Sequence, residues 1–147
     1  MHPAADFLRA LFQGEDHSTY LEIRPIPLMA GENRFFPMRA LQRHGFEQAL
    51  PLALDGISNV FFGALPRVRA RGGARDVAPA RVLWADLDRA PPEPWPVELP
   101  RPSLVVQTSP GKSQMYWLLN AAITDLDRLE SLNRRLASLL GADQAAT

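Results

Sequence analysis

The chain contains no cysteine, which excludes disulfides and cysteine-based zinc sites. It has no apolar run near the roughly 18 residues of a membrane-spanning helix. Its start, MHPAADFLRALFQG, lacks the basic opening and long apolar centre of a signal peptide. A cytoplasmic protein is the simplest reading of these absences. Net charge is also missing: 16 Lys and Arg balance 16 Asp and Glu, so the whole-chain basic footprint of a nucleic-acid binder is not there. Histidine is scarce, and His2, His17 and His44 have no metal-ligand spacing, so surface positions are expected for them. No serine or cysteine stands out as a nucleophile, and there is no internal repeat.

What is present is a globular composition. The chain has 147 residues, of which 46% are hydrophobic and 22% charged, enough for one ordinary domain with a real core. The final LLGADQAAT follows a helix without a closing strand, so the expectation is a fragment of a longer protein, truncated at its C-terminal end.

Hydrophobic spacing predicts the elements. Residues 4–13 read as a helix with Phe7, Leu8, Leu11 and Phe12 on one side. TYLEIRPIPL, 19–28, alternates and reads as a strand ended by Pro25 and Pro27. In the next segment Phe35 and Phe36 close a strand or 37–50 is helical. SNVFFGAL, 58–65, is a strand by its β-branched and aromatic content. RVRARGGARDVAPAR, 67–81, carries five arginines against one aspartate, with Gly72-Gly73 as a turn signal. ARVLWADLD, 80–88, is a strand, and the six prolines of 90–102 mark a surface connection anchored by Trp95. SLVVQTSPG and SQMYWLLN form a hairpin around SPGK. Thr124, with Asp127 three residues on, caps a last helix whose apolar face is Leu126, Leu129, Leu132, Leu136, Leu139 and Leu140; Gly141 stops it. The sum is an α+β fold with a mainly antiparallel sheet flanked by helices.

The chemistry concentrates in VLWADLD. Residues two apart on a strand share a face, so Asp86 and Asp88 point the same way as Val82 and Trp84, while Leu83, Ala85 and Leu87 face the core. Two adjacent carboxylates repel, and a hard divalent cation, Mg²⁺ or Mn²⁺, offsets that while keeping positions open for phosphate. The structural alternative is that Asp88 opens the turn before Pro91 and Asp86 pairs with Arg81 or Arg89. In the hairpin, Ser109, Gly111, Lys112 and Ser113 form a tight turn whose N–H groups and lysine suit phosphate, or a plain solvated turn. Gln114 and Tyr116 follow on one face. Trp84 and Tyr116 are candidates for stacking on a base, and Trp117 reads as core.

In order along the chain, FFGALPR, the Arg/Gly loop, LWADLD, QTSPGKSQMYWLL, a leucine-rich helix and LGADQAAT resemble the catalytic core of archaeo-eukaryotic-type primases. The likeness is greatest to the RepB-like and primase-polymerase (PrimPol) branch of plasmid, phage and mobile-element replication proteins. It covers residues 58–147 and implies an RRM-like sheet carrying a two-metal site. By that resemblance Asp86 and Asp88 match the D-x-D metal motif, Ser109 to Gln114 match the segment that contacts the nucleotide's phosphates, and Asp143 matches the third metal carboxylate. Ser109, Lys112, Gln114 and Arg67 would then hold the nucleoside triphosphate. Arg69, Arg71 and Arg75 would meet single-stranded DNA template or phosphate. Two departures stand out. Many relatives carry histidine where this chain has Gln114, which hydrogen-bonds but neither carries charge nor shuttles protons. Relatives also continue into an Arg-Leu-Pro-Gly segment that lies beyond this chain.

The resemblance implies a DNA primase or polymerase, a nucleotidyltransferase using Mg²⁺ or Mn²⁺, with a helicase domain or protein as a partner by family analogy. Two other readings use the same residues: a non-catalytic RRM-like nucleic-acid-binding module with structural carboxylates, and a metal-dependent nuclease without a nucleotide pocket.

Overall fold

The computed structural model describes residues 3–26, 34–50, 59–71 and 76–141. They form two compact units, residues 1–79 and 80–147. The antiparallel strands divide accordingly into two three-stranded sheets, and the chain is α+β as its patterning predicts. No helix among the described residues is long and apolar enough to cross a membrane.

In the first unit, α1 (Pro3–Phe12) presents the expected stripe: Leu8, Leu11 and Phe12 are buried, joined by Ala5. Phe7 and Phe12 meet the ring of Phe62 edge-on, at 5.4 and 5.9 Å between centroids. Phe62 belongs to β3 (Asn59–Phe62), which pairs with β1 (Tyr20–Ile26). β2 (Arg34–Pro37) pairs with the other side of β1, and α2 (Met38–His44) and a 3-10 turn (Phe46–Ala49) follow. The ambiguous segment is therefore a strand and then a helix.

β1 runs through Pro25, where an end was expected. Among the described residues Pro25 stands opposite Val60 of β3, and the described pairing of β2 covers Tyr20–Ile23. Pro27 lies outside the described residues. His17 and His44 are exposed, and His17 Nδ1 meets Gln42 Oε1 at 2.6 Å. Gln42 also donates to the carbonyls of Gln13 and Glu15, tying down the turn after α1.

In the second unit β6 (Lys112–Ile123) is the central strand, flanked by β4 (Ala80–Leu87) and β5 (Leu104–Ser109). Met115 and Trp117 of β6 join Ala85 and Leu87 of β4, Leu99, and Leu136 and Leu140 of α3 (Leu126–Leu140) in one buried cluster. Burying each large side chain of this kind contributes about 1.5–3 kcal/mol. Leu83 and Trp95 pack against its rim. The face of β4 assigned to the core is the one found there. Trp117 is core, its ring N–H donating to Pro100 O at 2.8 Å, and Trp95 anchors the proline segment through Leu99 O at 2.8 Å.

Two details of α3 differ from expectation. Its N-cap is Asp125 rather than Thr124: the Asp125 carboxylate accepts from the N–H groups of Asp127 (3.0 Å) and Arg128 (3.4 Å). An aspartate caps as well as a threonine and adds a negative charge at the positive helix end. The buried stripe is Leu129, Asn133, Leu136, Ala137 and Leu140, so Leu126 and Leu139 are exposed at its margins.

Asn133 has a specific task. Tyr116 turns its carbonyl towards β5, accepting from Ser103 N at 2.8 Å, so Trp84 opposite it is a pair without mutual ladder bonds. The Trp84 N–H therefore faces off the outer side of β4, where the buried Asn133 Oδ1 accepts it at 3.1 Å. This satisfies an edge-strand donor that would otherwise lack a partner. Asn133→Ala is expected to destabilise the protein by about 1–3 kcal/mol in urea denaturation, the cost of an orphaned buried donor; an unchanged midpoint would contradict this role.

Candidate nucleotide and metal site

The acidic end of β4 and the mouth of the β5–β6 hairpin lie together because β4 pairs antiparallel to β6. Leu87 stands opposite Ser113 and Asp86 opposite Gln114. Gln114 is also matched with Val106 on β5, which places it mid-sheet beside the turn. Like Trp84 and Tyr116, Asp86 and Gln114 form a pair without mutual ladder bonds, the kind in which facing side chains approach most closely, with Cα atoms about 4.5 Å apart. Asp86, Trp84 and Val82 share a face with Gln114, Tyr116 and Leu118.

The turn is set by its chemistry. Ser109 pairs with Lys112 across the two-residue loop Pro110-Gly111. Proline fixes the first turn position, and Gly111 takes a φ of 75°, the combination of a type II turn. Ser109 and Lys112 are both exposed at the mouth, and Gln114 is half-buried just inside.

β4 ends at Leu87, one residue short of the expected end. Asp88 lies in the bend that follows and is exposed, so the strand rule that put it on the same face as Asp86 stops applying there. Arg89, next in the chain, donates to Gly141 O at 2.5 Å, while Gly141 closes α3 in the left-handed conformation with φ 66°. A Cβ at Gly141 would overlap the Arg89 guanidinium. The end of α3 is thereby held at the acidic end of β4, and Asp143 follows two residues later in sequence. Asp143 itself lies outside the described residues, as does Arg75.

Tyr116 is the buried member of this face. Its hydroxyl donates to Gln114 Oε1 at 2.8 Å. Burial, and after it the negative charge of Asp86, push the phenol well above its ordinary value. The sequence places Gln114 and Tyr116 on one face, but a bond between them carries no sequence signal. Tyr116 is 3% exposed and Trp84 half-buried, so Tyr116 is no open stacking platform for a base.

The arginines belong to the first unit. Arg67 is mostly buried, its guanidinium 3.8 Å from the buried Glu22 carboxylate, and its backbone bonds both ways to Tyr20. Arg69 and Arg71 are exposed. A recess of about 490 Å³, bordered by Leu83, Ala121, Ile123, Asp125, Arg128 and Leu132, opens at the far end of β6, and none of the candidate residues lines it.

The donor set at the end of β4 suits a hard cation: carboxylate oxygens beside an exposed, lysine-bearing turn. Among the described residues no three carboxylate or histidine side chains gather into a ligand group. A complete site would need a further ligand such as Asp143.

No family model matches the chain, and no curated protein matches it. Among solved structures it is similar to the AEP domain of the cyanophage S-2L primase-polymerase (PrimPol), with a TM-score of 0.63 and 17% identity. The match covers 95% of this chain and 72% of that one. The likeness is one of fold: the α+β architecture expected of a primase-polymerase core is the architecture found.

The raised phenol gives a signed pH dependence. Below about pH 10 Tyr116 is neutral in both folded and unfolded chains and contributes no pH dependence. Above it the unfolded chain releases the proton first, so stability falls as pH rises. Relative to Tyr116→Phe, the wild-type unfolding free energy is expected to drop only in the alkaline limb; parallel curves would contradict the assignment.

Proposed function

We propose that the chain is the catalytic region of a primase-polymerase-type nucleotidyltransferase, joining nucleotides on a DNA template in the replication of a plasmid, phage or other mobile element. The observation that carries this reading is the juxtaposition of Asp86 and Asp88 with the Ser109–Gln114 hairpin mouth on a primase-polymerase-like fold. Asp86, Asp88 and Asp143 are assigned to two divalent metal ions. Ser109, Lys112 and Gln114 are assigned to the triphosphate; Arg67, in the first unit, is by the family resemblance a further nucleotide contact. Arg69, Arg71 and Arg75 are assigned to template or phosphate.

Joining forms a bond from a primer hydroxyl oxygen to the α-phosphorus and breaks the bond to pyrophosphate. No covalent intermediate with the protein is needed, so the residues required are those that position and neutralise. Mg²⁺ or Mn²⁺ would neutralise the triphosphate and the developing charge on entering and leaving oxygens. The chain's own contribution is distinct. Lys112, exposed beside Gly111, offers a point charge to the outer phosphates. Gln114 offers an uncharged contact close to the carboxylates, where a second cation is unnecessary. Asp86 is fixed by the strand, whereas Asp88 in its bend can adjust to a ligand. Arg67 has an ion pair with Glu22, which holds its guanidinium in place.

The test is binding of a labelled nucleoside triphosphate, with and without Mn²⁺ and single-stranded DNA, to the chain and to Asp86→Ala/Asp88→Ala, followed by primer extension. Binding should require the metal and weaken more than about tenfold, or about 1.4 kcal/mol, in the double variant. Metal-independent DNA binding that both proteins share would instead mark an RRM-like module. Metal-dependent DNA cleavage without nucleotide binding would mark a nuclease.

A further inference from the structure

We infer that Tyr116 is a positioning residue that locks the carboxamide of Gln114 with its NH₂ group directed to the nucleotide. The inference rests on the nucleotide-site reading above and adds to it the orientation and chemical character of the contact.

A glutamine side chain is ambivalent, with an acceptor oxygen at one corner and two donors at the other, and an unrestrained amide can present either. Phosphate oxygens accept, so only the NH₂ orientation is useful to a triphosphate. A neutral phenol has one proton to give, and at neutral pH the phenol is protonated even at its ordinary pKa of about 10. The Tyr116 proton goes to Gln114 Oε1 at 2.8 Å. That turns the amide oxygen towards the buried phenol and leaves the NH₂ group as the corner of the amide directed to a ligand.

Three further features support the arrangement. Tyr116 is 3% exposed, so its ring has little freedom to swing and its hydroxyl is a fixed reference. Gln114 is half-buried at the turn end of the same face, two residues nearer the mouth, and so lies between the fixed hydroxyl and solvent. Asp86 stands directly across from Gln114, and a carboxylate there favours the donor end of the amide over the acceptor end. Phenol and amide thus stand as donor and acceptor on one face of the sheet, with the Asp86 residue across the ladder. The NH₂ group points to an anion while adding no charge of its own.

The consequence is energetic coupling. Losing the phenol should weaken nucleotide binding only through Gln114. The experiment measures Mn²⁺-dependent affinity for a labelled nucleoside triphosphate in the full chain, Tyr116→Phe, Gln114→Ala and the double variant, with thermal melts of all four. We expect Tyr116→Phe to weaken binding by about three- to tenfold, the range of one lost neutral hydrogen bond. Gln114→Ala should weaken it at least as much, and the double variant should match Gln114→Ala. A merely structural tyrosine would lower the melting temperature and weaken binding equally in both backgrounds, and such additivity would overturn the inference. Should wild type itself fail to bind nucleotide, the site reading falls and the inference with it, an outcome distinct from additivity. If Tyr116→Phe does not fold, the Gln114 side-chain amide resonances of the wild type decide: they shift on adding Mg²⁺ and nucleotide if the NH₂ meets the ligand, and unchanged resonances would overturn the orientation.

Discussion

The register of β4 on β6 is the constraint on which the candidate site depends. It sets Asp86 opposite Gln114 and, two residues along, Trp84 opposite Tyr116. Strand side chains alternate, so a slip by one residue would turn Asp86 towards the Leu136 and Leu140 side of the sheet and bring Ala85 to the site. The apolar cluster forbids that slip, because Ala85 and Leu87 would leave the core together while Asp86 entered it. The contacts that hold the fold are thus the ones that aim the carboxylate. Asn133 strengthens the same constraint from the outer side of β4 by binding the Trp84 N–H.

Around this register the sheet divides its labour. One face is closed by α3 and is apolar. The other carries Asp86, Gln114 and Tyr116, and its polar groups are ordered by hydrogen bonding rather than by burial alone. The hairpin turn brings Lys112 to the same end, and the Arg89–Gly141 bond brings the end of α3 there. Three separate stretches of sequence therefore meet at the acidic end of β4. Such convergence at strand ends is what positioning chemistry requires, since a rigid sheet places side chains more reproducibly than a free loop does.

Much of this was legible in the sequence because local chemistry decided it. Pro110-Gly111 between alternating strands specifies a hairpin, the apolar run of Val82–Ala85 specifies β4, and the leucine spacing with Gly141 specifies α3 and its end. The features that escaped depend on contacts between residues far apart or on choices between near-equal neighbours. Thr124 and Asp125 are both good caps, and only the path of the chain selects Asp125. Asn133 looks like a polar interruption of a leucine face until β4 supplies its donor. Pro25 reads as a strand end because proline lacks the ladder N–H, and the sequence does not show its pairing with Val60 of β3. The ion pair of Arg67 with Glu22, 45 residues earlier, carries no sign in the sequence. Asp143, proposed as the third metal carboxylate, lies outside the described residues.

The measurement that tests the central claim most directly is paramagnetic broadening of amide resonances by Mn²⁺ added well below stoichiometry. The account predicts that signals at the end of β4 and in the hairpin mouth, from Asp86 to Asp88 and from Lys112 to Gln114, are lost first, and that Asp86→Ala/Asp88→Ala abolishes the effect. Broadening centred elsewhere, or spread evenly over the acidic surface in both proteins, would contradict it.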